Sequence, residues 1–181
     1  MKLIFWGLIF LFFDFNINIG RSTISFLPTF VGYALIYSGM GRVNGCETYT
    51  GARPWATAGI ICSAIIWCAN CLGILMGTEI SFVLSIVSSL LQLVVTYKIA
   101  RGVRELEEAL KYDLYGKSLM TAWIVLLIWI VLVRVVSVLG MEMFALIALV
   151  ASMVFMVYYV FRFHKSRKAY EDRMSWPEEE E

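Results

Sequence analysis

The sequence predicts an all-α fold, a polytopic bundle of transmembrane helices arranged as three helical hairpins. Composition is the first reason: 60% of the 181 residues are apolar and 16% are charged, whereas about a quarter of a soluble domain is charged. The second reason is that the apolar residues fall into long runs, several of which reach the roughly 20 residues that a helix needs to cross a bilayer. A soluble domain of this length would not bury so much apolar surface.

Four of these runs have the length of a full span, and the two nearest the N-terminus are marginal. The predicted spans cover residues 1–19, 24–40, 56–76, 80–97, 119–139 and 141–161. The first run turns polar at the string DFNINIG, and the second is short for a full crossing. Residues 1–40 therefore either cross twice or form a re-entrant pair. A cleaved signal peptide is disfavoured, because the polar string lacks the small residues of a cleavage site.

We expect a single transmembrane domain over residues 1–161, with a cytoplasmic helical linker at 98–117 and a charged cytoplasmic tail at 162–181. The linker carries an apolar stripe at helical spacing, formed by Ile99, Val103, Leu106, Leu110 and Leu114. This stripe docks on the protein's own core, lies on the membrane or receives a partner, and we favour the first. Gly116 is expected to end the linker helix, and Ser118 to cap the next helix.

The placement of basic residues predicts the orientation. Lysine and arginine near the ends of spans mark the cytoplasmic side. With six spans, every basic residue except Arg21 and Arg134 lies on that side, so both termini are predicted to be cytoplasmic. The sequence has no sustained basic stripe, and we predict no nucleic-acid partner. The lipid bilayer is the expected surrounding, and a protein partner or a homo-oligomer is left open.

Two ionisable residues fall within predicted spans, Asp14 and Arg134. A charge inside a membrane is costly and by default marks a functional site. Both residues fall toward the outer ends of their spans, so we expect them to pair across the bundle. Asn16 and Asn18 add polar groups, and an unwound stretch there would line a small outward-facing cavity. The alternatives are an external turn at DFNINIG and an Arg134 side chain that reaches the outer interface.

A second polar zone is predicted in the middle hairpin. Asn70 on the third predicted span is expected to face Ser85 and Ser88 on the fourth, and Gln92 lies further along the same face. Small and polar residues let two helices approach closely and form hydrogen bonds. Helix packing is the simpler explanation of this zone, and a path for a polar solute is the more specific one.

Cys68 and Cys71 form a CxxC motif, which is typical of thiol oxidoreductases. The pair falls near the middle of the third predicted span, and no neighbouring group in the sequence would activate the thiols. Packing between helices is therefore the favoured explanation. The sequence shows no phosphate-binding loop, zinc spacing or nucleophile elbow. We predict no catalytic residues, no metal site and no cofactor.

Two strings, LFFDFNINIG and ISFLPTFVGYALIYSGM, carry a resemblance to known proteins. They resemble the opening of a group of small, uncharacterised, polytopic bacterial membrane proteins. In that group an Asp-Phe-Asn-like segment precedes a Leu-Pro-x-Phe-x-Gly-Tyr-x-Leu-Ile-Tyr-like segment. The resemblance covers residues 5–41 and implies a bacterial cytoplasmic membrane. It carries over no activity and no functional residue.

Three functional interpretations follow. A non-enzymatic membrane scaffold, sensor or partner subunit needs the fewest special features and is preferred. A small transporter or channel would use Asp14, Arg134 and the polar face of the middle hairpin. A thiol-redox membrane protein would use Cys68 and Cys71. The sequence does not indicate which small molecule or ion is bound.

Overall fold

The computed structural model describes residues 1–13, 16–19, 22–25, 28–43, 45–72, 78–139 and 142–175. Its elements are α1 (Lys2–Phe12), β1 (Asn16–Ile19), β2 (Ser22–Ser25), α2 (Thr29–Met40), α3 (Glu47–Cys71), α4 (Thr78–Leu110), α5 (Gly116–Val138) and α6 (Glu142–Ser175). The predicted helical class is confirmed. Within the described residues, three helices, α3, α4 and α5, are long and apolar enough to cross a membrane. The number of spans stays a prediction.

Backbone contacts divide the chain into two compact units, Met1–Lys98 and Ile99–Glu181. In the first unit α1 packs on α2, α2 packs on α3, and β2 contacts α3. In the second unit α5 packs along α6. α4 begins in the first unit and ends in the second, and the single transmembrane domain over residues 1–161 stays a prediction.

Glycine holds α1 and α2 at close range. A Cβ atom added at Gly32 would lie 2.9 Å from the carbonyl oxygen of Gly7 and 2.9 Å from the backbone nitrogen of Leu11. A Cβ atom added at Gly7 would lie 2.7 Å from the carbonyl oxygen of Gly32. Because these neighbours are backbone atoms, which do not move aside, the crossing of the two helices requires a residue without a side chain.

Both helices of this pair are shorter than predicted, since α1 ends at Phe12 and α2 begins at Thr29. Residues with low helix propensity follow α1, and the proline at position 28 disfavours helical backbone at the residue before it. Between the helices lies an antiparallel ribbon of β1 and β2, in a stretch that the sequence analysis assigned to the ends of two spans. β1, with the sequence NINI, has the period-2 alternation of polar and apolar residues that favours strands.

α3 begins at Glu47, earlier than the predicted start at residue 56. Glu47 lies in the first turn, where the helix dipole favours a negative charge. Pro54 therefore lies inside the helix. A proline at this position removes one backbone hydrogen bond and leaves a carbonyl in the preceding turn without its usual donor.

α4 continues the fourth predicted span into one long helix, as the apolar spacing of the linker predicts. Four residues of the stripe are buried, namely Ile99, Val103, Leu106 and Leu114. This burial confirms that the stripe docks on the protein's own core. The helix ends at Leu110 rather than near residue 115, and Gly116 begins α5 instead of ending α4.

A carboxylate holds the turn between α4 and α5. Oε2 of Glu107 accepts hydrogen bonds from the backbone N–H groups of Leu114, at 3.2 Å, and Gly116, at 2.7 Å. It thus takes the capping role that was predicted for Ser118. Lys111 and Tyr115 adopt positive φ angles of 48° and 59°, which allow this tight return. Such backbone conformations are costly for residues other than glycine.

We expect Glu107→Ala to destabilise the second unit by about 1–2 kcal/mol, because two N–H groups at the start of α5 lose their acceptor. Glu108→Ala is the matched control. The ion pair of Glu108 with Arg104 has a distance of 3.4 Å and is largely exposed, so its loss costs about 0–1 kcal/mol. Thermal unfolding of both variants in one detergent, followed by circular dichroism, measures the difference. Equal melting temperatures would contradict the capping role of Glu107.

α6 is longer than the last predicted span. It runs for 34 residues to Ser175, so much of the predicted charged tail is helical. Tyr159, Phe163 and Ser166 are fully buried along it, and Arg167 pairs with Glu171 at 3.6 Å. The helix is thus anchored in the core of the protein well beyond residue 161, where the predicted span ends.

Candidate functional site

The ribbon brings polar residues together on one face. Its register pairs Asn16 with Ser25 and Asn18 with Thr23. Residues paired across an antiparallel ribbon lie on the same face, and alternate pairs share that face. These four polar residues therefore share one face, while Ile17 and its partner at position 24 lie on the other. The structure thus joins two predicted site residues, Asn16 and Asn18, to two that the sequence analysis missed.

The ribbon lies beside the C-terminal half of α3. The ring of Tyr33 in α2 lies against Gly59 in α3. Phe30, earlier in α2, makes an edge contact with Trp67, later in α3, with 5.6 Å between ring centroids. The two helices are therefore antiparallel, and the chain that precedes α2 continues toward the end of α3. The contact of β2 with α3 agrees with this direction.

α1 and α2 are each shorter than the helical span that was predicted in their place. α1 has 11 residues and α2 has 12, so each is about 17–18 Å long, whereas the hydrocarbon core of a bilayer measures about 30 Å. A four-residue strand adds about 13 Å. One helix and one strand together have about the length of the core. Non-helical backbone at membrane depth is tolerated only where protein covers it or where it lines a water-filled cavity.

Neither of the two charged candidates, Asp14 and Arg134, has its side chain in the described part of the structure. Asp14 lies outside the described residues. Arg134 lies in α5, in the second unit, and its side chain is outside the described part of the structure. The pairing of Asp14 with Arg134 stays a prediction.

The polar zone of the middle hairpin shows local hydrogen bonds. Asn70 is exposed near the end of α3, and the three candidates on α4, Ser85, Ser88 and Gln92, are half-buried. The hydroxyl group of Ser89 donates to the carbonyl of Ser85 at 2.9 Å. The Thr96 hydroxyl donates to the carbonyl of Gln92 at 2.8 Å. These bonds remain within one helix, and a polar contact between α3 and α4 stays a prediction.

Cys68 and Cys71 are free thiols. Cys68 is exposed and Cys71 is half-buried, and both lie in the last turn of α3 rather than near the middle of a span. The C-terminal end of a helix disfavours negative charge, so this position does not favour the thiolate that redox chemistry uses. A thiol-redox role stays a prediction.

Within the described residues, no group of three or more His, Cys, Asp or Glu side chains is arranged to hold a metal ion. His164 is half-buried on α6. Partial burial lowers the pKa of His164, and the nearby Arg167 and Lys168 lower it further. The imidazole therefore favours its neutral form at neutral pH.

The chain was compared with protein-family models, curated proteins and solved structures, and nothing matches in any of the three. The polar face of the ribbon brings four hydrogen-bonding residues together between two apolar helices, and it is the arrangement that helix packing does not explain.

Proposed function

We propose that the chain is a small transporter or channel component of a bacterial cytoplasmic membrane, with the polar face of the ribbon exposed to water within the membrane. The observation that carries this proposal is the break between α1 and α2, where a ribbon replaces helix. Discontinuous helices often form solute and ion sites in transporters, because their unwound backbone offers polar groups near the middle of the membrane. The proposed role involves no catalysis.

The free-energy cost of unpaired backbone N–H and C=O groups supports a ribbon that is in contact with water. In hydrocarbon each unpaired N–H or C=O group costs several kcal/mol. β2 contacts α3 and pairs with β1, whereas the other edge of a two-stranded ribbon needs water or another chain. The amide and hydroxyl groups of Asn16, Asn18, Thr23 and Ser25 are neutral hydrogen-bonding groups. They suit a neutral polar solute or a partly dehydrated cation.

The distribution of charge supports the orientation in this proposal. With both termini on the cytoplasmic side, the end of α3 and the ribbon beside it point outward, and the cavity opens to the outer face. Asp14 and Arg134 are the charged residues that we propose for the path. Asn70 and the polar residues of α4 are further candidates, since they follow the same end of α3 in the chain.

A second candidate function is a membrane scaffold, sensor or partner subunit. The lengths of α4 and α6 favour it, since they have 33 and 34 residues and a span needs about 20. Leu106 and Phe163, in the surplus turns of α4 and α6, are buried, so these turns are part of the folded protein. A folded surface of this kind would serve to contact a protein partner.

Thiol labelling tests whether the polar face is wet. In a variant with all four native cysteines replaced by serine, single cysteines are introduced as Asn18→Cys and Thr23→Cys on the polar face. We expect a membrane-impermeant thiol reagent to modify both in intact cells, because water reaches that face. The matched controls are Ile17→Cys and Ile24→Cys on the opposite face, which we expect to react at least tenfold more slowly.

Two results would contradict the proposal. Equal protection of all four positions would indicate a dry ribbon and would favour the scaffold interpretation. Equal, rapid modification of all four would place the ribbon in an external loop. Labelling of everted vesicles identifies the side from which the reagent enters, and faster reaction there than in intact cells would reverse the proposed orientation.

A further inference from the structure

Arg53 occupies an unusual position at the opposite end of the first unit from the ribbon. Its guanidinium carbon lies 4.3 Å from the centroid of the Tyr37 ring, an arrangement that stabilises a cation. The side chain is half-buried, and its Nε atom is buried without a hydrogen-bond partner. A Cβ atom added at Gly41 would lie 3.7 Å from the same guanidinium carbon. Arg53 is therefore held between the end of α2 and the start of α3.

No acid of the described residues is seen in an ion pair with Arg53. Arg104 pairs with Glu108 and Arg167 with Glu171, and Arg53 takes part in neither pair. A partly buried cation normally has a hydrogen-bonded anion beside it, because desolvation is otherwise uncompensated. The ring of Tyr37 offsets part of this cost and leaves guanidinium N–H groups for an acceptor.

Other cations lie at the same end of the unit. Arg42 follows α2 and is exposed. Lys2 begins α1, and α1 reaches this end because a Cβ atom added at Gly39 near the end of α2 would meet Ile4 at 2.6 Å. Arg53, Arg42 and Lys2 outweigh the negative charge of Glu47 in the first turn of α3, so this end of the first unit attracts an anion.

Arg53 lies at a level of α3 that has the polarity of a membrane interface, and apolar residues follow. Trp55, two residues further along but on another face of the helix, is 45% exposed, and tryptophan is enriched at the level of lipid headgroups. Ile61 and Ile65 are each 57% exposed further along the same helix. An anion with attached acyl chains would lie along this surface, with its charge at Arg53 and its chains against the isoleucines.

We propose that Arg53 and Tyr37 form a binding site for the phosphate group of an anionic phospholipid. The guanidinium donates hydrogen bonds to phosphate oxygens, which Arg recognises well because of its planar arrangement of donors. Tyr37 holds the guanidinium plane in position, and Arg42 and Lys2 favour an anionic lipid over a zwitterionic one. This site is independent of the ribbon and of the function proposed for it.

The test measures the melting temperature of the full chain in mild detergent with added dioctanoyl phosphatidylglycerol. We expect the lipid to raise the melting temperature of the unmodified chain by several degrees, because a ligand that binds the folded state stabilises it. Arg53→Gln is expected to lose most of this shift. The matched control is Arg101→Gln, which removes an exposed charge in the second unit, outside the proposed site, and should retain most of it. Equal shifts in the two variants would overturn the proposal.

Other ligands identify the source of the stabilisation. Dioctanoylglycerol, which lacks the phosphate, and inorganic phosphate, which lacks the chains, are each expected to give less than a third of the shift. A full shift with dioctanoylglycerol would mean that acyl chains alone bind. A full shift with inorganic phosphate would mean that the site takes a free anion. Either result would overturn the assignment to a phospholipid.

A second pair of variants covers the case in which Arg53→Gln does not fold. Tyr37→Phe keeps the aromatic ring under the guanidinium, and Tyr37→Leu removes it. We expect the phenylalanine variant to keep the lipid-induced shift, and the leucine variant to need at least three times as much lipid for the same shift. Identical lipid titrations of the two variants would contradict a site built on the stacked pair.

Discussion

Gly32→Leu is expected to disrupt the packing of α1 on α2 and to destabilise the first unit by more than about 3 kcal/mol. At this position even a Cβ atom would lie 2.9 Å from the carbonyl oxygen of Gly7 and from the backbone nitrogen of Leu11. A leucine side chain therefore forces the two backbones apart. The resulting loss of stability exceeds the loss seen when a side chain is enlarged in a core that can rearrange around it. The thermal unfolding of the full chain in detergent, followed by intrinsic tryptophan fluorescence, measures the loss.

Gly51→Leu is the control for this substitution. Gly51 lies in α3, and an added Cβ atom there would meet nothing within 4 Å. The same increase in size and apolarity should therefore leave the melting temperature unchanged or raise it, since leucine favours helix more than glycine does. A comparable loss of stability in both variants would indicate that the close crossing of α1 and α2 does not determine the effect.

Gly59→Ala is expected to have the second-largest effect, a loss of about 2 kcal/mol that lowers the melting temperature by about 4–8 °C. An alanine Cβ atom would lie 2.6 Å from two carbons of the Tyr33 ring. Tyr33 is 1% exposed, so its ring has no free space into which to move. The added methyl group must therefore separate α2 from α3, which also moves the ribbon that precedes α2.

Gly51→Ala is the matched control, because it changes the helix propensity of α3 without creating a contact with the Tyr33 ring. It replaces glycine by alanine in the same helix, where the added methyl group meets open space. We expect a gain of up to about 1 kcal/mol from helix propensity. A melting temperature for Gly59→Ala that equals or exceeds that of Gly51→Ala would contradict the tight packing of Tyr33 on α3.

The features that could be predicted from sequence are those that depend on one segment at a time. The apolar runs of α3, α4 and α5 are long enough to identify them as potential spans, because hydrocarbon selects for length and composition. The stripe of Ile99, Val103 and Leu106 predicted both a helix and its burial, since its spacing repeats over several turns.

The features that were missed depend on how distant residues meet. Asn16 and Asn18 were recognised as candidates, but Thr23 and Ser25 join them through a strand register that four-residue segments do not reveal. Glu107 caps a helix from outside it, across a turn that needs positive φ at Lys111 and Tyr115. No local signal predicts such backbone in residues other than glycine.

The stacking of Arg53 on Tyr37 was missed for the same reason. The two residues lie on different helices, and they meet because α2 packs closely on α3 at Gly59. The sequence shows where a glycine lies, but it does not show which side chain packs against that glycine. Close approaches of this kind therefore become clear once the tertiary structure is known.

The shortness of α1 and α2 has a consequence for the lipid environment of the protein. A thick bilayer would surround the ribbon with acyl chains, whereas a thin one would leave it near the headgroups. Hydrophobic mismatch of this kind costs a fraction of a kcal/mol per ångström and sorts proteins among membranes. In the proposed arrangement one helix and one strand together match a hydrocarbon core of about 30 Å, so a change in bilayer thickness would change the depth of the ribbon. Longer acyl chains in the surrounding lipid would therefore change the environment of the ribbon, where strands replace helix.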